Sequence, residues 1–278
     1  MEIWAHTLVK NEARWLWFSV NSVINFVDKI LLWDTGSTDG SIEIAKELKK
    51  LYPEKIIFKE RNISTSTDFT KVRQEMLDAT ESDWFLMVDA DEIWWNNSIV
   101  SVVKTIETNP SLESVVVPTL NLVGDIFHFQ DSSAGRYKFG SRVGHYNLRA
   151  INRSIPGLHS QGVHGVWGWS DFENKMIQDR NIDKIEFIDA PYLHATFVPR
   201  GRALKDDLNV IKRNKKYKYE FGQNFPKDFF YPEVLFKTKP EFIQSPWGIS
   251  SFKFKTRAFV ETPLRKIKRK IWIGRVGY

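Results

Sequence analysis

Asp89, Asp91 and Glu92 place three carboxylates within four residues of this 278-residue chain. Just before them, Trp84 to Val88 is an unbroken apolar run with aromatic and β-branched members. That composition suits a strand buried on both faces beneath helices. Residues two apart on an extended chain point the same way, about 6.6 Å apart at roughly 3.3 Å per residue. Asp89 and Asp91 are therefore predicted to face one point beyond the strand tip. Two carboxylates ~5 Å apart repel by about 3 kcal/mol at an effective dielectric of 20. A divalent cation is the simplest neutraliser, and hard oxygen ligands suit Mn2+ or Mg2+. The plainer use of such acids is to cap the next helix or sit in a solvated turn. Position favours chemistry, because ligands of open α/β sheets bind outside the carboxyl ends of the strands.

The elements that would position these acids alternate. Strands are predicted at Ile3–Val9, Lys29–Trp33, Lys55–Phe58 and Trp84–Val88, with helices at Glu12–Phe26, Ser41–Leu51 and Thr67–Ala79 between them. Such alternation is most economically an α/β fold with a parallel sheet. After Glu92 the pattern changes to a helix at Ile99–Ile106 and strands at Ser114–Leu122, Asp125–Phe129, Arg142–Ile151 and Lys184–Ile188. Gly157 to Gly168 reads as loop, and Arg202 to Tyr219 as a basic helix. Four prolines, Pro226, Pro232, Pro240 and Pro246, then break the chain. We place a soft boundary near residue 200, giving a main domain over 1–200 and a basic helical or irregular extension over 201–278. No internal repeat recurs.

Composition is that of a soluble globular chain, with 42% apolar and 27% charged residues. The 11 tryptophans can build a core, stack on sugars or meet a membrane interface. Cysteine is absent, so no disulfide framework exists. The start, M-E-I-W-A-H, lacks a basic-then-apolar signal region, and no window approaches the ~20 apolar residues of a membrane span. A cytoplasmic location follows as the expectation. The net charge of +6 is concentrated late: from Phe252 onward Glu261 stands alone among nine lysines and arginines. Arg265 to Ile273 mixes cations with apolar anchors, which fits peripheral contact with an anionic inner membrane face.

Four motifs narrow the reading. V-K-N-E at Val9 to Glu12, W-D-T-G-S-T-D-G at Trp33 to Gly40, D-F-T-K-V-R at Asp68 to Arg73 and V-D-A-D-E at Val88 to Glu92 follow in order. In that order and spacing the chain resembles family-2 glycosyltransferases of the GT-A fold, especially the branch that decorates lipopolysaccharide cores. The likeness is strong over the first hundred residues and looser to His194. It implies a Rossmann-like, mainly parallel mixed sheet flanked by helices. It also implies a metal-dependent, inverting transfer of a sugar from a nucleoside diphosphate, UDP favoured, to a hydroxyl of a surface glycan or lipid-linked saccharide.

The resemblance assigns roles. Val9, Asn11, Glu12, Asp34, Arg73, Asp89 and Ala90 are expected around the nucleotide, with Asp34 accepting from a pyrimidine N–H while Ser37, Thr38 or Asp39 caps the next helix. Asp91, Asp89 and His194 are expected at the metal, which stabilises the leaving diphosphate as a Lewis acid. Relatives also carry an arginine-rich strand and a V-H-E element, here Leu148 to Arg153 and Val163-His164-Gly165. Glycine stands where the glutamate is expected. An inverting transfer needs a carboxylate to take the acceptor's proton, so Asp171, Glu173 and Glu92 are the candidate bases.

Two other classes compete. A haloacid-dehalogenase-like phosphohydrolase also places D-x-D after an apolar strand, with its first aspartate as nucleophile, and Lys205-Asp206-Asp207 would supply its downstream groups. A non-catalytic basic carbohydrate or nucleic-acid binder would use the cations and tryptophans. No RNA or DNA motif is present, so no nucleic-acid partner is expected.

Overall fold

A computed structural model of the protein describes every residue except 64, 164–166, 209, 211, 212, 214–217 and 272–278. Strands β1 (Ile3–Val9), β2 (Lys29–Asp34), β3 (Ile56–Glu60) and β4 (Trp84–Met87) lie in the order β4-β1-β2-β3, all parallel. Pleating sends alternate side chains to opposite faces. Ile3, Ala5, Val9, Ile30, Leu32 and Leu86 face one core, which α1 (Leu16–Val23) and α2 (Ser41–Leu51) cover. Trp4, Leu31 and Trp33 face the other, against Val72 and Met76 of α3 (Ser66–Asp78). β1, β2 and β4 are covered on both faces and are mainly apolar, whereas the edge strand β3 is largely exposed.

The sheet then becomes mixed. β5 (Glu92–Trp94) and α4 (Asn96–Thr108) lead into β6 (Ser114–Val123) and β7 (Asp125–Phe129). After a small hairpin of β8 (Tyr137–Phe139) and β9 (Arg142–Gly144) comes β10 (Tyr146–Asn152). It inserts between β4 and β6, antiparallel to both. β11 (His159–Gln161) and β12 (Gly168–Ser170) pair with each other. β13 (Ile185–Phe187) and β14 (Tyr192–Phe197) run parallel to β6, and β14 also sets His194 opposite Glu92 of β5. β15 (Gln223–Asn224) closes the edge on β7.

The predicted elements are found with ends moved by a few residues, and three segments differ. The expected loop over Gly157–Gly168 contains strand β11 and meets β12, because Ser160 N–H donates to Gln74 Oε1 on α3 and fixes an extended backbone. Arg142–Ile151 is two strands rather than one. Of the expected helix Arg202–Tyr219, the described residues show α5 (Leu204–Leu208). A long helix, α6 (Phe252–Ile271), follows the proline-rich stretch. Residue 200 marks a change of style rather than a break: Val234, Leu235 and Ile243 are buried in the main core. Among the described residues no helix is long and apolar enough to cross a membrane.

Candidate active site

The carboxyl ends of β1, β2 and β4 converge on one rim. Beyond β1, Asn11 takes a left-handed backbone (φ 54°), which asparagine tolerates. Its N–H donates to Ser37 Oγ at 2.8 Å, its Oδ1 accepts from Thr38 N–H, and its Nδ2 donates to the Asp206 carbonyl. Asp39 accepts from the Ala13 N–H and caps the start of α2 through the Ser41 N–H, both at 3.0 Å. The D-T-G-S-T-D-G segment is thus a clasp that ties the β1 and β2 turns together. Gly36 has φ +93°, and a Cβ there would meet Asn62 Oδ1 at 2.8 Å.

Asp34 sits beneath this clasp, fully buried. Its Oδ1 accepts from the Gly36 and Ser37 N–H groups at 2.8 and 2.7 Å. Oδ2 has no hydrogen-bond partner among the described residues. Burial raises the Asp34 pKa, against the Ser37 and Gly36 hydrogen bonds and the Lys10 charge. An unpartnered buried acceptor suits a donor N–H from a nucleobase. Lys10 lies beside Asp34 and donates to the Thr35 and Gly36 carbonyls.

Around the acids the structure places arginines. Arg73 of α3 is set by a capping box, in which Thr65 Oγ1 accepts from the Asp68 N–H and Asp68 Oδ2 from the Thr65 N–H. Its guanidinium lies 5.3 and 5.2 Å from the Phe69 and Trp167 ring centres and donates to Asp89 Oδ1 at 3.0 Å. Arg149 precedes Ala150, which pairs with Leu86, so the antiparallel β10 delivers it beside the end of β4. Arg149 stands 3.5 Å from Asp89 Oδ2, pairs with Glu92 and donates through Nε to the Tyr192 hydroxyl at 3.0 Å. Burial resists ionisation of Asp89, but Arg149 and Arg73 outweigh it and hold its carboxyl below the usual range.

Asp91 is buried against Arg200, with His194 Nε2 3.4 Å from the same Oδ2. Burial opposes its charge too, yet Arg200 and His194 hold its pKa well below the usual range. Arg200 also lies 3.4 Å from Glu12, and Arg213 pairs with Glu12 and, at 3.0 Å, with Asp207. Asp207 accepts from the Arg200 and Gly201 N–H groups, at 3.2 and 3.1 Å. The segment after β14 is thereby strapped across the β1 turn. Burial pushes the Glu12 carboxyl up to about 8 despite Arg200 and Arg213.

These contacts show where the expected site residues lie. Arg73 and Arg149 stand against Asp89, and Arg200 against Asp91. Asn11 and Glu12 make the clasp and strap contacts, and Val9 and Ala90 are buried apolar residues. Arg73 and Arg149 draw Asp89 away from the metal set. Among the described residues no three His, Cys, Asp or Glu side chains form a metal cage. Asp91 and His194 remain as an oxygen and a nitrogen donor, and this pair fits a divalent cation that takes its other ligands from phosphate oxygens. Asp206 and Asp207 hold backbone N–H groups and Arg213, which removes the phosphohydrolase's downstream acids.

The three candidate bases lie in two places. Asp171 pairs with Arg180, whose Nε donates to Glu113 at 2.6 Å. Glu113 adjoins Ser114, which pairs with Ile151, and the next residue, Asn152, pairs with Trp84 at the start of β4. Asp171 and the nearby Glu173 therefore belong to the end of the sheet opposite Asp89. Glu92 is fully buried on Arg149, and burial raises its pKa well above the usual range while Arg149 resists. His164 and Gly165 lie outside the described residues.

Arg149, Arg200, Arg213 and Tyr192 were not among the expected site residues. Arg149 lies in the arginine-rich strand noted above; for the others the signal in the sequence is indirect: acids clustered on a buried rim require buried cations. No local spacing says which of 40 lysines and arginines supply them.

Comparison with known proteins gives the family of the chain. The profile described as glycosyl transferase family 2 matches residues 6–157, more than half of the chain. The protein belongs to glycosyl transferase family 2, a family of sugar-transferring enzymes. No curated protein matches it in sequence. Among solved structures it is similar to TarS of S. aureus, with a TM-score of 0.49 and 15% identity over 70% of this chain. This chain spans 37% of that one. It is also similar to glucosyl-3-phosphoglycerate synthase from Mycobacterium tuberculosis, solved with Mn2+, uridine diphosphate and glucosyl-3-phosphoglycerate. There the TM-score is 0.46, with 15% identity over 70% of this chain and 72% of that one. A mannosyltransferase from Pyrobaculum calidifontis with GDP-Man and Mn2+ gives 0.40, with 15% identity over 55% and 45%.

Proposed function

We propose that this protein transfers a hexose from a nucleoside diphosphate, UDP favoured, to a hydroxyl of a surface-glycan or lipid-linked saccharide, with inversion and with Mn2+ or Mg2+ as cofactor. The observation that carries this is the meeting of Asp91 and His194 at the carboxyl end of the parallel strands, ringed by Arg73, Arg149 and Arg200.

Each residue has a task that its environment supports. Asp34 Oδ2 accepts from the base N–H. Asp89, about a third exposed and the most open acid of the cluster, faces the ribose while Arg73 and Arg149 fix its orientation. Asp91 and His194 would hold the cation, which as a Lewis acid stabilises the leaving diphosphate. Arg200, beside them, adds positive charge where the diphosphate develops negative charge. Glu92 and Tyr192 hold Arg149 and keep water from the inner side of the site.

Calorimetric titration of UDP with Mn2+, and with a chelator in its place, tests the reading. Mn2+ should tighten UDP binding in the native protein and have no effect in Asp91→Asn. Equal UDP affinity with metal and with chelator would remove the proposed metal dependence.

A further inference from the structure

α6 docks through one face. Phe254 and Ala258 are buried against Val123, at the end of β6, and Phe197, at the end of β14. The Phe254 ring lies over Gly124, where a Cβ would meet it at 2.7 Å. Polar contacts pin the same side. The Phe221 N–H donates to Thr262 Oγ1 at 2.9 Å, Arg269 makes two bonds to Glu220, and Arg257 lies 3.9 Å from the Tyr219 ring centre. The helix is held along its length, so its opposite face points outward in a fixed orientation.

At about 100° per residue, Phe252, Phe259, Val260, Leu264, Ile267 and Ile271 project opposite the docked stripe. All are exposed, Phe252 by 82%, Phe259 by 75% and Ile271 by 79%. Lys253, Lys255, Lys266 and Lys270 are exposed among and beside them. The ion pairs of α6 use Arg257, Arg265 and Arg269, and these four lysines join none among the described residues. A second copy of the chain would cover the apolar arc but set lysine against lysine. An anionic bilayer satisfies both groups, taking the apolar side chains at the acyl boundary and the ammonium groups among its headgroups.

We propose that the outward face of α6 is a docking surface for an anionic lipid bilayer, on which the helix lies in the plane of the interface. The docking is independent of the transfer reading. It would set the active-site rim near the lipid, because Phe197 follows His194 by three residues, about 10 Å along β14 at roughly 3.3 Å each.

Co-sedimentation of the full chain with phosphatidylglycerol–phosphatidylcholine vesicles, and with phosphatidylcholine alone, tests it. The chain should pellet with the anionic vesicles and stay in solution with the neutral ones. Lys255→Gln with Lys266→Gln should weaken partition by roughly fivefold per lysine. Phe259→Gln with Leu264→Gln should weaken it by more than about tenfold. All four side chains are exposed, so thermal melts of both variants should match the native chain. The proposal is overturned if the native chain does not pellet, or if both variants pellet equally well. It is likewise overturned if the apolar variant changes only the oligomeric state in sedimentation velocity, which would make the face an interface between copies.

Discussion

The Arg200 guanidinium and the Asp91 carboxylate, 109 residues apart in sequence, meet at Asp91 Oδ2. That oxygen is also 3.4 Å from His194 Nε2, so on the proposed reading guanidinium and divalent cation would compete for one atom. Arg200→Met should bind Mn2+ more tightly than the native protein, by on the order of tenfold or 1.4 kcal/mol, read from the free Mn2+ signal in electron paramagnetic resonance. Removing the arginine also leaves Asp91 and Glu12 buried without it, so Mn2+ should raise the variant's melting temperature more than the native one's. An unchanged or weaker affinity would show that the two cations do not compete.

His194 reaches Asp91 from β14, whose register against β5 and β6 fixes its position. His194→Ala should lower Mn2+ affinity by roughly 10- to 100-fold, the range for loss of a group that orients a metal site. Circular dichroism should be unaltered, since the side chain contributes to the rim and not to the core.

Asp171 and Asp89 should separate stability from turnover. Asp171→Asn breaks the Arg180 clamp at the far end of the sheet and should lower the urea midpoint while leaving kcat near native. Asp89→Asn should lower kcat/KM with little change in the urea midpoint. A large fall in kcat for a well-folded Asp171→Asn protein would restore that residue as a catalytic candidate.

His6 makes stability depend on pH. Its ring stacks on Phe85 at 4.5 Å, and its Nε2 is 2.6 Å from Thr80 Oγ1, whose own proton goes to the Met76 carbonyl. Nε2 therefore carries the hydrogen, and Nδ1 is left bare and buried. Burial, with Arg73 adding to it, holds the His6 pKa well below the ordinary histidine value. The unfolded chain takes up a proton below pH ~6.5 that the folded chain refuses. Stability from this group is present above about pH 6.5 and lost progressively below it. Urea unfolding at pH 5 and 7.5 should show that loss in the native chain and a smaller one in His6→Phe.

The sequence by itself determined the parallel half of the fold and the rim on which chemistry falls. β1, β7 and α2 have the predicted bounds; for β1 and α2 the reason is that an apolar run covered on both faces and a helical repeat ended by Pro53 are local signals. The D-x-D acids and the Asp34 turn were legible for the same reason, each being a short motif tied to a strand end. Only the tertiary structure decided what neutralises the acids. Arg149 arrives on a strand that inserts antiparallel, and Arg200 and Arg213 arrive on a strap that closes over β1 from about 200 residues away. It also set Asp171 on Arg180, at the end of the sheet away from Asp89, and turned the basic stretch 252–271 into a docked helix with an apolar outer face. Pairing between distant segments follows from packing and strand order, and neither leaves a periodic mark in the residues that make the contact.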